Sequence, residues 1–138
     1  MALYLPARFL RFAVMSEPLA LVLGQRGVIA SQLSERLEAQ RYRVKTIASP
    51  AELAPTAEGV RAMVVLADCE GLSVEVLAAI AQLRANPATA HIPVIAFTRE
   101  AADEAQAQLA AGGATSVVTE AAILDHLPQL LSRALELP

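Results

Sequence analysis

The sequence predicts a doubly wound α/β domain built on a parallel sheet, and two observations carry that prediction. From Leu19 onward short apolar runs alternate with helical patterns, the mark of successive βαβ units. The first, third and fourth runs are continuously apolar rather than alternating, as in strands covered by helices on both faces. At 138 residues the chain is long enough to bury a core without disulfides or metals, so a single domain is expected over residues 15–138.

The elements follow in order. The first strand is expected over Leu19–Leu23, ended by Gly24, and the second over Arg43–Ala48. Between them Val28–Gln40 places Ile29, Leu33 and Leu37 on one helical face. Ser49-Pro50-Ala51-Glu52 has the form of a capping box with proline at the first helical position, and Pro55 should keep the second helix short. The third strand is expected over Ala62–Ala67, followed by a helix over Leu72–Ala85 that carries Val76, Ile80 and Leu83 on one side and stops at Asn86-Pro87. Ile92–Phe97 reads as the fourth strand and Arg99–Ala111 as an Ala-rich helix closed by Gly112-Gly113. The fifth strand is expected over Ala114–Val118, and the last helix should start near Asp125 as N-cap, with Pro128 tolerated in its first turn.

Composition excludes several function classes. A formal charge of −3 with 18% charged residues and no basic block leaves no footprint for a phosphate backbone, so nucleic-acid binding is not expected. The one cysteine, Cys69, rules out an internal disulfide and a multi-cysteine zinc site, which fits the cytoplasm. His91 and His126 lie far apart, without ligand spacing. Residues 1–14 are apolar but interrupted by Arg8 and Arg11, so they read as neither a signal peptide nor a membrane span. Met15-Ser16-Glu17-Pro18 looks like a natural start, which makes residues 1–14 an upstream extension or an amphipathic arm. The chain ends where the domain does, so no output module is expected after it.

Polar groups stand at the ends of three buried strands: Asp68, Thr98 and the pair Thr119-Glu120. In an open parallel sheet, strand carboxyl ends are where ligands and chemistry gather. The single lysine, Lys45, is far from all of them. No catalytic acid–base pair emerges, and a signalling or binding domain is expected rather than an enzyme.

This order of elements, with Asp68, the segment His91-Ile92-Pro93-Val94-Ile95-Ala96-Phe97-Thr98, and Gly113-Ala114 before a strand ending Thr119-Glu120, resembles the CheY-like receiver domain of two-component signalling over residues 19–136. The resemblance implies a flavodoxin-like sheet of order 2-1-3-4-5. It also implies a phosphoacceptor aspartate after the third strand, an acidic Mg²⁺-binding pair after the first, a Ser or Thr after the fourth and a lysine after the fifth. Residue by residue, Asp68 matches the phosphoacceptor and Thr98 the hydroxyl. The acidic pair is replaced by Gly24, Gln25 and Arg26, the lysine by Glu120, and the proline that usually follows it by Ala121. A shift of one residue would put Ala67 at the acceptor position, but the spacing onward to Val76, Ile80 and Leu83 favours Asp68.

Magnesium requires hard oxygen ligands, so Asp68 without the acidic pair should bind it weakly or not at all, and no cofactor is expected. Arg26 reaching across the strand ends would instead pair with Asp68, with Glu120, or with both. The expected function is therefore that of a degenerate receiver, a pseudo-receiver working by protein–protein interaction with a histidine kinase, an output protein or itself as a homodimer. The surface expected for that contact is the Ala-rich fourth helix with the exposed members of Leu127, Leu131 and Leu135. Two alternatives stand beside it: a response regulator phosphorylated on Asp68, and a flavodoxin-like protein that binds a small molecule or nucleotide. Other residues have plainer readings. Thr98 could cap the next helix, Cys69 should be an inert thiol beside Asp68 and Glu70, His126 could be a relay histidine or a helix cap, and Gly24-Gln25-Arg26-Gly27 lacks the lysine of a P-loop.

Overall fold

A computed structural model describes residues 17–136 apart from Gln25, Leu72 and Ala101; the expected extension over 1–14 lies outside the described residues. Five parallel strands, β1 (Leu19–Leu23), β2 (Arg43–Ile47), β3 (Val64–Asp68), β4 (Val94–Thr98) and β5 (Ser116–Thr119), form one sheet in the order β2-β1-β3-β4-β5. The helices are α1 (Gly27–Ala39), α2 (Leu53–Val60), α3 (Val74–Ala85), α4 (Asp103–Ala111), α5 (Glu120–Asp125) and α6 (Leu127–Glu136), with a 3₁₀ turn over Pro50–Glu52. The order and parallel sense are those expected.

Successive residues of a strand face opposite ways, and in β1, β3 and β4 both faces are buried. Leu21, Leu23, Val65 and Ala67 pack with Leu53, Val76, Ile80, Leu83 and Leu109 on one side of the sheet. Ala20, Val22, Leu66, Ile95 and Phe97 pack with Ile29, Leu33, Leu37, Ile123, Leu127 and Leu131 on the other. This explains the continuous apolarity of β1, β3 and β4. Leu127 and Leu131 are core residues, so of the expected leucine surface on the last helix only Leu135 is exposed.

Several boundaries move for one shared reason. α1, α2 and α4 each end with a residue in left-handed backbone, Arg41 (φ 68°), Arg61 (φ 53°) and Gly113 (φ 115°). In each case the next N–H folds back five residues: Tyr42 to Leu37, Ala62 to Ala57, and Ala114 to Leu109. This is the Schellman-type helix closure. Ala62 and Ala114 are spent on it, which is why β3 starts at Val64 and β5 at Ser116 rather than at the alanines.

Four local expectations are corrected. Ser49 makes no side-chain cap, and the proposed capping box is only a 3₁₀ turn led by Pro50. α2 is short, eight residues, as expected, but Pro55 falls in its first turn and it is the Arg61 closure that ends the helix. α3 is capped by Ser73, whose Oγ accepts the Val76 N–H at 3.2 Å, so the helix starts at Val74 rather than Leu72. Asp125 is the last residue of α5, not an N-cap. α5 starts directly after β5 at Glu120, with Thr119 Oγ1 accepting the Ala122 N–H at 3.0 Å. The helix breaks at His126 because Pro128 has no N–H to give back to Leu124, and α6 restarts at Leu127.

Candidate functional site

The strand carboxyl ends carry a three-residue ion cluster. β3 ends in Asp68, whose side chain is only 6% exposed. Arg26 follows β1 in extended backbone (φ −93°, ψ 107°) as the residue before α1, a position that aims its side chain across the strand ends. Its guanidinium forks onto Asp68: Nε donates to Oδ2 at 2.7 Å and Nη2 to Oδ1 at 2.9 Å. On its third nitrogen, Nη1 lies 2.9 Å from Glu120 Oε2, a close ion pair without hydrogen-bond alignment. Arg26 thus meets both carboxylates that the sequence offered.

The electrostatics agree with the geometry. The Arg26 pKa is raised above its ordinary value, mainly by the Asp68 hydrogen bond, with burial opposing and Glu120 adding in the same direction. A planar fork on a carboxylate makes two parallel charge-assisted bonds, an arrangement lysine cannot copy. Asp68 Oδ1 also accepts the Glu70 N–H at 3.0 Å, which tightens the loop after β3. Glu70 then accepts the Arg99 N–H at 2.8 Å through Oε1, tying that loop to the one after β4. This bracing role of Glu70 was missed in the sequence; an acidic residue two places after a strand-ending aspartate was the only signal available.

Thr98 stands apart from the cluster. It is buried, and its hydroxyl donates to the Glu100 carbonyl at 2.7 Å. It is not the cap of α4, which starts five residues later with Ala102 at its N-cap. Gly24 borders Asp68: its N–H donates to the Ile47 carbonyl at 3.0 Å, and a Cβ built on it would lie 3.9 Å from the Asp68 Cβ. Gln25 lies outside the described residues. Cys69 is fully buried beside the cluster, and burial, aided by the Asp68 charge and opposed by its backbone bond to Phe97, pushes its thiol up to about 12. Such a thiol is inert at neutral pH. His126 is exposed at the junction of α5 and α6, where its N–H donates to the Ala122 carbonyl and its own carbonyl accepts from Leu130.

Between β1 and β3 a cleft of about 250 Å³ is lined by Gly24, Arg26, Pro50, Asp68 and Ser73 among others. That is smaller than the usual volume of small-molecule sites. A magnesium ion does not suit this donor set, because both Asp68 oxygens already accept from a fixed cation and Gly24 offers no side chain. Among the described residues no group of three His, Cys, Asp or Glu side chains converges to hold a metal ion, and no helix is long and apolar enough to cross a membrane.

The sequence matches no family model and no curated protein. Solved structures do match. A response regulator from Thermotoga maritima superimposes with a TM-score of 0.76 at 15% identity, covering 88% of this chain and 99% of that one. The receiver domain of a sensor histidine kinase from Pseudomonas aeruginosa, with a magnesium ion coordinated in its active-site cleft, gives 0.77 at 21% identity over 87% of this chain and 98% of that one. A response regulator from Burkholderia multivorans gives 0.71 at 23% identity, covering 88% and 98%. With the sheet order, the strand-ending aspartate and these superpositions in hand, the chain has the CheY-like, flavodoxin-type fold of the response-regulator structures it superimposes on.

Proposed function

We propose that this protein is a receiver-type domain of two-component signalling whose phosphorylation site is closed by its own arginine, and that it acts by phosphorylation-independent contact with another protein. One observation carries the reading: the Arg26 guanidinium occupies both oxygens of Asp68 while also holding Glu120. In an open receiver site the aspartate attacks a phosphoryl group whose charge must be neutralised by a metal and by cations that contact the phosphoryl oxygens. Here the cation already spends its donors on the would-be nucleophile. Gly24 and Glu120 stand where the resemblance calls for metal-binding acid and for lysine, so Asp68, Gly24, Gln25, Arg26, Thr98 and Glu120 together form a degenerate switch site that binds magnesium weakly. Its work is that of an interaction module rather than an enzyme, in the cytoplasm, with a kinase, an output protein or its own copy as partner.

The test is intact mass and backbone amide NMR of the full chain after addition of Mg²⁺ with acetyl phosphate or beryllofluoride, with Asp68→Asn as control. The expected result is no Asp68-dependent adduct and no chemical-shift change reaching α4, α5 or α6. An adduct on Asp68 with shifts spreading to those helices would replace this reading with that of a phosphorylated response regulator.

A further inference from the structure

The strand carboxyl end is richer in acids, with exposed Arg99 beside Glu70, and the opposite end is richer in arginines, with exposed Glu38 and Glu58 among them; the two ends carry, between them, the four exposed large apolar side chains among the described residues. At the strand carboxyl end Val74 is 80% exposed and Val28 76%. Around Val74 stand the exposed carboxylates of Glu70 and Glu75, and the first turn of α4 adds Asp103 and Glu104. At the opposite end Met63 (47% exposed) and Leu135 (37%) line a hollow of about 440 Å³ together with Arg61, His91, Pro93 and Thr115. Arg36, Arg41 and Arg133 are exposed at helix ends there.

Part of this polarity has a simple origin. The helices of a doubly wound domain begin at one end and finish at the other, and acids in first turns with bases in last turns suit the helix dipoles. That accounts for Glu75, Asp103, Arg36 and Arg133. It does not account for exposed valines at helix starts. Nor does it account for Arg41 and Arg61, which hold left-handed helix-closing positions where glycine is the easy choice. Neither Arg41 nor Arg61 has an ion-pair partner among the described residues.

We propose that the protein associates with further copies of itself head to tail, the acidic knob of one copy, Val74 with Glu70 and Glu75, seating in the basic Met63–Leu135 hollow of the next. A protrusion and a hollow of opposite sign on opposite ends of one molecule make a heterologous contact, which propagates into a ring or an open chain rather than closing as a two-fold dimer. Apolar side chains at the centre with charges around them give such a contact both its affinity and its polarity.

Sedimentation velocity of the full chain without phosphodonor tests it. The average mass should rise with concentration at low salt and fall toward the monomer as salt is added. Val74→Lys and Met63→Glu, both at exposed positions, should each weaken association about tenfold or more, since every contact in either sample has one damaged side. An equimolar mixture of the two variants keeps one intact pair of surfaces, so it should recover association. A wild type that stays monomeric at millimolar concentration would overturn the proposal. So would a contact sensitive to only one of the variants, the signature of a two-fold dimer or of an unrelated face. A mixture that stays monomeric would also overturn it and would leave residues 1–16 or a different protein as the cover of the basic hollow. None of these outcomes bears on the phosphorylation test, so the two readings fail separately.

Discussion

Two arginines, Arg26 and Arg84, do similar mechanical work at opposite ends of the sheet with opposite electrostatics. Arg26 joins the ends of β1, β3 and β5 through two carboxylates. Arg84, in the last turn of α3, joins the loops that enter β4 and β5 through backbone carbonyls. Its Nε donates to Gly113 at 2.9 Å, and Nη1 donates to Ala90 at 2.9 Å and to Ile92 at 2.6 Å. The pKa of Arg26 is raised by its acidic partners, whereas that of Arg84 is lowered by burial, because carbonyls satisfy a guanidinium without neutralising it. Arg84 therefore serves as scaffold, and Arg26 is held by charges that screening or substitution can remove.

The largest expected effect breaks the scaffold side. Arg84→Ala removes the donor from the part-buried Gly113 and Ile92 carbonyls and should cost about 2–4 kcal/mol in urea unfolding, with Arg84→Lys recovering only part because an ammonium cannot reproduce the fork. Arg26→Ala should cost less, about 1–2 kcal/mol, since water reaches the cluster and the Glu70 N–H still serves Asp68. Salt sharpens the contrast. The Arg26→Ala loss should shrink in 1 M NaCl while the Arg84→Ala loss does not, and equal behaviour of the two would erase the distinction drawn here.

A further test concerns Cys69, next to Asp68. Its thiol pKa is raised from 9.0 to about 12, so the folded protein holds that proton more tightly than the unfolded chain. The resulting stability is fully present below pH 9.0 and is lost as pH rises through about 12. Chemical unfolding followed from pH 8 to 11 should show this alkaline slope in the wild type and a flatter one in Cys69→Ala; identical slopes would count against a protonated buried thiol.

Much of the fold was legible because burial on both faces leaves a plain mark. β1 and the apolar stripe of α1 lie where the pattern put them, as does the end of α3. The late starts of β3 and β5 were hidden because left-handed backbone at Arg61 is a choice of the folded chain that no residue type announces. Gly113 did announce it. Thr119 was overlooked as a cap because Asp125 before Leu127-Pro128 made a stronger local signal, while the decisive fact was the proline's missing N–H. At the site, charge logic sufficed for Arg26 with Asp68 and Glu120: a cation and two carboxylates gathered at one end of the sheet have few other partners. The turning of the Thr98 hydroxyl toward Glu100 depended on the loop path, and the loop path is not written in the apolar pattern.

The junction between β5 and α5 has no slack. Thr119 is at once the last residue of the strand and the cap of the helix, and the first helical residue, Glu120, is the one that Arg26 grips. A push on that helix is therefore transmitted to the guanidinium without a loop to absorb it, and thermodynamic reciprocity requires the converse. Anything that binds α5 in a way that favours one placement of Glu120 must alter how firmly Asp68 is held, by the same free energy with which Asp68 alters that binding. The closed site is in this sense a tension gauge for the surface beside it.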